Sequence, residues 1–296
     1  MTLIELVDAM CARLESAGVS FGHGTDNAFD EAVWLTLWRL GLPLDTPLDG
    51  LESLGDQSVA PAQEAQVREL VETRIRTRQP AAYLTHEAWL QGVPFYVDER
   101  TIVPRSLIAE LIVDGSFDAW LGENTRRVLD LCTGNGSLAV LAAMAWPEVM
   151  VDAADLSTDA LEVARINIDR HGLADRITPF VSDGLAAVHG PYDLILCNPP
   201  YVNSQSMAAL PAEYRAEPAL ALAGGADGMD FIRSLLRAAP AAMTPQAVLV
   251  LEIGNEQPHF EAAFPALEVV WLETSAGEDQ VLMATRDQLL AGLENS

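Results

Sequence analysis

The sequence predicts an α/β fold: a mostly parallel sheet covered on both faces by helices and ending in an antiparallel strand, preceded by a small helical domain and a β-hairpin linker. Three observations carry this prediction. From Val128 onward, seven short apolar or β-branched runs alternate with helix-length stretches, the pattern of a parallel sheet buried on both sides. The last two runs have no helix between them and so can pair antiparallel. Half of the 296 residues are hydrophobic and a fifth are charged, which suits a chain with a substantial core and excludes a disordered one.

Residues 1–79 read as the helical domain. Leu3, Ile4, Val7, Cys11 and Leu14 recur at helical spacing. Ala32, Val33, Leu35, Leu37 and Leu40 form a second apolar segment with Asp26 and Asn27 ahead of it as cap groups, and 62–78 is a third. Arg74, Arg76 and Arg78 are the densest cationic cluster and fit an exposed helix face. Residues 80–105 change texture. Trp89, Leu90, Phe95, Tyr96, Val97, Ile102 and Val103 are interrupted by Gly92-Val93-Pro94 and Asp98-Glu99-Arg100, which predicts the hairpin linker. The remaining 106–296 form the α/β domain. A helix over 106–121 opens it, strands are expected at 128–131, 149–154, 177–181, 192–197, 247–253, 267–272 and 280–284, and helices at 137–145, 158–171, 231–239 and 256–263. The stretch 202–229 is rich in Ala, Pro and Gly and too long for a simple connection, so it is expected to be a substrate-facing loop outside the core.

Charge narrows the function. Seventeen Lys and Arg against 43 Asp and Glu leave a formal net charge of −26. Nucleic-acid affinity depends on neutralising phosphates, so no direct nucleic-acid binding is expected, whereas a basic protein would be attracted. Cys11, Cys132 and Cys197 are far apart with no CxxC, so neither a disulfide framework nor a metal site is expected. Glu5 and Asp8 precede any Arg, unlike a signal peptide, and no apolar run reaches a membrane span. These features predict a soluble, cytoplasmic protein without membrane contact.

The chemistry gathers at strand ends. The first strand runs into Asp130-Leu131-Cys132-Thr133-Gly134-Asn135-Gly136, where two glycines one residue apart let the chain turn tightly and admit a ligand against its backbone. Asp155, nineteen residues beyond Gly136 and at the end of the second strand, is spaced to accept both hydroxyls of a ribose. Together they point to an adenosine-containing cofactor. Gly134, Gly136 and Ala139 also satisfy the dinucleotide pattern G-x-G-x-x-A, which leaves a nicotinamide cofactor open. Asp130 weighs against it, because a carboxylate is unhelpful beside a pyrophosphate and suits the amino group and sulfonium of S-adenosylmethionine. Asp183, followed by Gly184 after the third strand, is placed to meet the adenine amino group. A bond to loop backbone for Asp130 and a turn role for Asp183 are the plainer alternatives.

The fourth strand ends in Asn198-Pro199-Pro200-Tyr201. Both prolines fix their own φ and the first pushes Asn198 into an extended conformation, so the loop is stiff. The Asn198 side-chain oxygen and the Pro199 carbonyl can accept the two hydrogens of a planar NH₂ group while Tyr201 lies against its π face. His23, in a glycine-rich turn, reads as a bracing residue more readily than as a base.

Asp130 to Gly136, Asp155 and Asn198 to Tyr201 resemble the S-adenosylmethionine-dependent methyltransferases, and specifically the HemK family of protein glutamine methyltransferases. Phe21 to Asn27, Glu87-Ala88-Trp89, Phe95 to Arg100, Val103 to Ser106 and Leu210 to Arg215 resemble the branch of that family acting on large-subunit ribosomal protein L-three, over most of the chain up to about Gln257. The resemblance implies a seven-stranded Rossmann-like sheet, substrate recognition by the helical domain and methylation of a glutamine side-chain amide. It implies that Cys132, Thr133, Gly134, Asn135 and Gly136 cradle the methionine part of the cofactor, that Asp155 holds the ribose and that Asp183 and Gly184 border the adenine. Asn198, Pro199, Pro200 and Tyr201 hold the acceptor amide. Gly184 stands where some relatives carry an aromatic residue. A release-factor glutamine methyltransferase would share this chemistry, as would a DNA adenine methyltransferase, against which the charge argues. A nicotinamide-dependent oxidoreductase or a non-catalytic cofactor-binding assembly factor would leave the Asn-Pro-Pro-Tyr motif unexplained.

Overall fold

The computed structural model describes every residue except Leu51, Glu123, Asn295 and Ser296. Its contacts form two units: Met1–Ala88 with Leu210–Glu217, and Trp89–Ala209 with Pro218–Ser296.

The first unit is helical: α1 (Leu3–Ala17), α2 (Ala28–Leu40), α3 (Pro61–Thr77) and α4 (Ala81–Thr85). Thr2 and Glu5 form a reciprocal capping box on α1, and Asn27 rather than Asp26 caps α2, its side-chain oxygen accepting from the Asp30 amide. Leu3, Leu6, Val7, Met10 and Leu14 are buried on one face of α1, which packs against α2 and α3, where Ala32, Leu35, Leu37, Val67 and Val71 are buried.

Arg74 corrects the expectation of an exposed cationic face. It is fully buried and donates to Glu31 at 2.9 Å, to Glu213 at 3.3 Å and to the Ser20 carbonyl at 2.9 Å. Arg78, one turn on, reaches Glu213 at 3.1 Å, while Arg76 alone of the three is exposed. Side chains two apart leave a helix in different directions, and the carboxylate that draws two of these arginines inward arrives 139 residues after Arg74.

At the junction with the second unit, which begins at Trp89, comes a two-stranded ribbon, β1 (Ala88–Leu90) and β2 (Val93–Phe95), followed by α5 (Ile108–Val113). This helix is shorter than the sequence suggests: Gly115 takes φ +73°, the chain turns, and only a 3₁₀ turn at Asp118–Trp120 follows. Then come β3 (Arg127–Leu131), α6 (Ser137–Ala145), β4 (Met150–Asp155), α7 (Thr158–Arg170), β5 (Ile177–Val181), β6 (Tyr192–Cys197), α8 (Ser204–Ala209), α9 (Asp230–Ala242), β7 (Met243–Glu252), α10 (Gln257–Ala263), β8 (Val270–Thr274), β9 (Gly277–Thr285) and α11 (Arg286–Glu294). The elements expected above omit α8 and α11, although both begin at cap residues: Asn203 Oδ1 accepts from the Ser206 amide at 2.9 Å, and Thr285 and Gln288 form a reciprocal capping box.

The seven-stranded sheet has the order β5-β4-β3-β6-β7-β9-β8, parallel except for β9, which runs antiparallel to both neighbours. Alternate residues feed two cores. Val128, Leu194, Leu196, Val248 and Val250 pack on one face with α5, α6 and Ile168 of α7. Leu129, Leu131, Ile195, Leu249 and Leu251 pack on the other with α9, Phe260 of α10 and Leu289 of α11. Strand order reverses between β3 and β6, and open sheets of this kind bind ligands outside the carboxyl ends of the strands at such a point. Leu131 pairs with Cys197 there, so Cys132 and Asn198 leave the sheet side by side.

The stretch 202–229 is not wholly outside the core. Leu222 and Met229 are buried, Val202 bridges Ala223, and Leu210–Glu217 belongs to the helical unit, where Glu213 and Glu217 are buried. Polar and small residues hid this in the sequence. Gly224 and Gly228 are small because the Tyr201 backbone passes within reach of any Cβ they might carry, and the buried glutamates are held by partners far away in sequence.

Candidate active site

A cavity opens at the switch point. Among its lining residues are Cys132 and Gly134 after β3, Asp155 at the end of β4, Asp183 and Gly184 after β5, and Asn198 and Pro200 after β6. These sequence-predicted residues are thus brought together from four strand ends. Asp130, Thr133, Asn135, Gly136, Pro199 and Tyr201 are not among its lining residues.

The loop after β3 owes its shape to left-handed backbone at Cys132 (φ +61°), Gly134 (+55°) and Gly136 (+80°). A side chain at Gly136 would press within 3.2 Å of Ala164 on α7, so that glycine serves helix packing. At Gly134 nothing lies within 4 Å, and the backbone itself faces open space. Asn135 and Thr133 are buried, and Asn167 of α7 donates to the Asn135 carbonyl at 2.9 Å.

The two strand-end aspartates differ. Asp155 accepts from the Gly134 amide at 2.9 Å through Oδ2 and from the Ser157 amide at 2.8 Å through Oδ1, and the Leu156 amide also bonds to this carboxylate at the cavity wall. Burial pushes its pKa up, and these amides counter the effect. Asp130 is buried completely. Its Oδ2 accepts from the Thr133 hydroxyl at 2.5 Å and the Ala139 amide at 3.0 Å, while Oδ1 accepts no hydrogen bond. Burial raises its pKa to about 7. Asp130 is therefore bonded to a loop hydroxyl and to the first turn of α6, not to loop backbone, while one of its oxygens stays unsatisfied. That unsatisfied acceptor, the open backbone at Gly134 and the remaining acceptor capacity of the Asp155 carboxylate fit S-adenosylmethionine, whose ammonium, sulfonium and ribose hydroxyls need such partners.

Asp183 is exposed at the cavity edge, in a turn tied by Ser182, whose hydroxyl donates to the Gly184 carbonyl at 2.6 Å. Gly184 has φ +51°, and a Cβ there would lie 3.7 Å from the Phe231 ring. Phe231, from α9, is the one aromatic side chain among the described lining residues. Sequence reasoning missed it, along with Arg100, Thr101 and Ile102 from the linker, Leu156 and Ser157 after β4, and Pro218, Leu220 and Ala221. Leu156 and Leu220 are 50% and 58% exposed, more than leucines in a finished core. Arg100 is fixed by Asp98 at 2.6 Å and Glu162 at 3.0 Å, so the Asp98-Glu99-Arg100 turn also shapes a cavity wall.

On the β6 side, Pro199 is buried, and Asn198, Pro200 and Tyr201 are half-buried. The Tyr201 hydroxyl donates to Glu252 at 3.2 Å, and its ring passes over Gly254, where a Cβ would come within 2.6 Å. Burial raises the Glu252 pKa, against the donors that bind it. Buried Cys197, beside Cys132, has its thiol pKa raised by burial as well.

His23 lies in the helical unit, 2% exposed, with its ring 4.2 Å from Tyr214 and Nε2 3.5 Å from Glu217. The glycine-rich turn around it and the segment carrying Glu213, Tyr214 and Glu217 are thus two halves of one packed arrangement.

A glycine loop, a ribose-spaced acid and a stiff polar acceptor at one switch point describe a methyltransferase, and the Methyltransferase small domain family model matches residues 116–215. A chain named ribosomal protein uL3 glutamine methyltransferase from Bordetella pertussis is 53% identical over 97% of this chain and 96% of its own length. One of the same name from Burkholderia pseudomallei is 50% identical over 98% and 96%. The chain belongs to this family of uL3 glutamine methyltransferases. Among solved structures, the hMettl16 catalytic domain in complex with MAT2A 3'UTR hairpin 6 shares the fold, with a TM-score of 0.51 at 12% identity over 75% of this chain and 80% of that one.

Proposed function

We propose that the chain transfers a methyl group from S-adenosylmethionine to the side-chain amide nitrogen of a glutamine in large-subunit ribosomal protein uL3. The observation that carries this reading is the meeting of Asn198 with Gly134, Asp155 and Asp183 around one cavity, in a chain whose near full-length relatives bear that name. When bound, the cofactor supplies an electrophilic methyl group. Cys132, Thr133, Gly134, Asn135 and Gly136 hold its methionine part, Asp130 answers its positive charge, Asp155 its ribose and Asp183 with Gly184 its adenine.

An amide nitrogen is a poor nucleophile because its lone pair is delocalised. Asn198 Oδ1 and the Pro199 carbonyl accept its two hydrogens, draw electron density onto nitrogen and aim it into the cavity, with Tyr201 against the amide face. Pro199 and Pro200 keep the acceptors in place, and alignment of this kind supplies up to roughly 7–11 kcal/mol of a barrier. Methylation leaves the amide nitrogen with one proton too many, and that proton passes to solvent water, which leaves the product neutral.

The partner is a basic protein attracted by the net charge of −26, and the helical unit and the 202–229 stretch are the elements we assign to its recognition. Labelled-methyl transfer into an extract of cells lacking the enzyme tests the reading. Label in uL3 at a glutamine is expected, and label confined to a release factor or to DNA would overturn it.

A further inference from the structure

We propose that Glu252 is a positioning residue, holding the Tyr201 ring and through it the acceptor loop in register with the cavity. The proposal rests on the methyl-transfer reading above and adds to it a residue that touches neither cofactor nor amide.

Glu252 ends β7 and is 4% exposed. A buried carboxylate is costly unless it is well bonded, and an apolar side chain would serve packing better. What a carboxylate offers here is acceptance from several donors at once. The Ser106 hydroxyl at 2.6 Å and the Leu107 amide at 2.9 Å hold Oε2, and the Tyr201 hydroxyl at 3.2 Å reaches Oε1. One group thereby ties the chain just before α5 to the loop that follows β6.

The rest of the surroundings leave Tyr201 little room. Gly254 lies under its ring, and a Cβ on Gly224 or Gly228 would come within 2.7 or 2.2 Å of Tyr201 backbone atoms. Two residues further on, Asn203 donates to buried Glu256 at 2.7 Å. The segment from the end of β7 to the start of α10 thus grips the chain at and after the acceptor motif at two points, Glu252 holding the motif's tyrosine and Glu256 the asparagine two residues on. A misplacement of about 1 Å at a reacting group costs on the order of 100-fold in rate, so a ring that must lie flat on an amide benefits from a fixed hydroxyl.

The test uses the full-length protein with purified uL3 and labelled S-adenosylmethionine. Tyr201→Phe and Glu252→Gln should each slow single-turnover transfer about tenfold. The double variant should be no slower than the slower single one, because both act on the same contact, Tyr201→Phe by removing the hydroxyl and Glu252→Gln by replacing the carboxylate that accepts from it. Affinity for S-adenosylhomocysteine by calorimetry should stay within about twofold, which a general loss of structure would not allow. Rate losses that multiply, or a matching loss of cofactor affinity, would overturn the proposal.

Hydrogen exchange provides an arm independent of activity. Exchange in peptides spanning 198–209 should rise in both single variants while β3 and β4 are unaffected, and unchanged exchange in 198–209 overturns the positioning role. Should the wild-type protein leave uL3 unmethylated, the functional reading fails and the exchange result alone decides this one. If Glu252→Gln does not fold, Ser106→Ala replaces it, removing a donor to Glu252 without touching Tyr201. A loss of about threefold in the single-turnover rate is then expected, and an unchanged rate counts against the proposal.

Discussion

The carboxyl ends of β3 and β4 hold the chain differently from those of β6 and β7. On the first side the hold is backbone: left-handed residues at 132, 134 and 136, with Asp155 accepting from loop amides and Asp130 from an amide in the first turn of α6. On the second it is two prolines and two buried glutamates that bind the side chains of Tyr201 and Asn203. The first arrangement spreads its contacts over many groups, as suits binding. The second fixes a few atoms firmly, as suits a reaction whose rate depends on direction. Substitutions on the β6 side should therefore act on rate, and those on the β3 and β4 side on affinity.

The largest effect expected is that of Asn198→Ala. It removes one of two acceptors for the amide and should slow single-turnover transfer by about 3 kcal/mol, or roughly 100-fold, with little change in cofactor affinity. A wild-type rate would abolish the distinction between the two sides. Asp155→Ala should do the reverse, weakening S-adenosylmethionine by about 1.5–3 kcal/mol in calorimetry, the scale of hydrogen bonds to a charged group. Unchanged affinity would remove Asp155 from the ribose.

Asp130 sharpens the comparison through pH. Its folded pKa of about 7 lies above the ordinary carboxylate value, so the folded state keeps a proton that the unfolded chain has already released. Stability without cofactor should fall as pH rises from about 4 to 7 and level off above, by about 2–4 kcal/mol in all. Asp130→Asn should remove that loss, giving a higher melting temperature than wild type at pH 8 and little difference near pH 4. The same variant should bind the cofactor more weakly, because the charge that costs stability is the one proposed to meet the ammonium and sulfonium. Gains in both stability and affinity would show that these cationic groups lie elsewhere.

Much of this side of the molecule was legible in the sequence. Positive-φ glycines, the spacing from Gly136 to Asp155 and Pro-Pro after a strand are local signals, because the backbone itself demands them. The strand runs were legible for the same reason, since a sheet buried on both faces imposes apolar residues on every strand. What escaped depends on partners distant in sequence. Arg74 reads as a surface cation until Glu213 is beside it, and Glu252 reads as a strand-end charge until Ser106 and Tyr201 converge on it. The ending of α5 at Gly115 was a local signal that went unused: a glycine and a following serine stood inside the helix expected over 106–121.

Phe231 is expected to have the smallest effect; it comes from α9, after the β6 side, yet packs against Gly184 after β5. Its ring is half-buried and faces the cavity beside Gly184, where the chain itself offers no side chain. Adenine is flat and gains from an aromatic face, by about 0.5–1.5 kcal/mol beyond the area covered. Phe231→Ala should therefore weaken S-adenosylhomocysteine severalfold in calorimetry, while Phe231→Leu, which keeps apolar area and loses the π face, should fall between it and wild type. Single-turnover transfer at saturating cofactor should be unchanged in both, since the ring belongs to the binding side. A variant with intact affinity and a reduced rate would put Phe231 against the acceptor instead. The division of labour between strand ends would then not extend to the helix that closes the cavity.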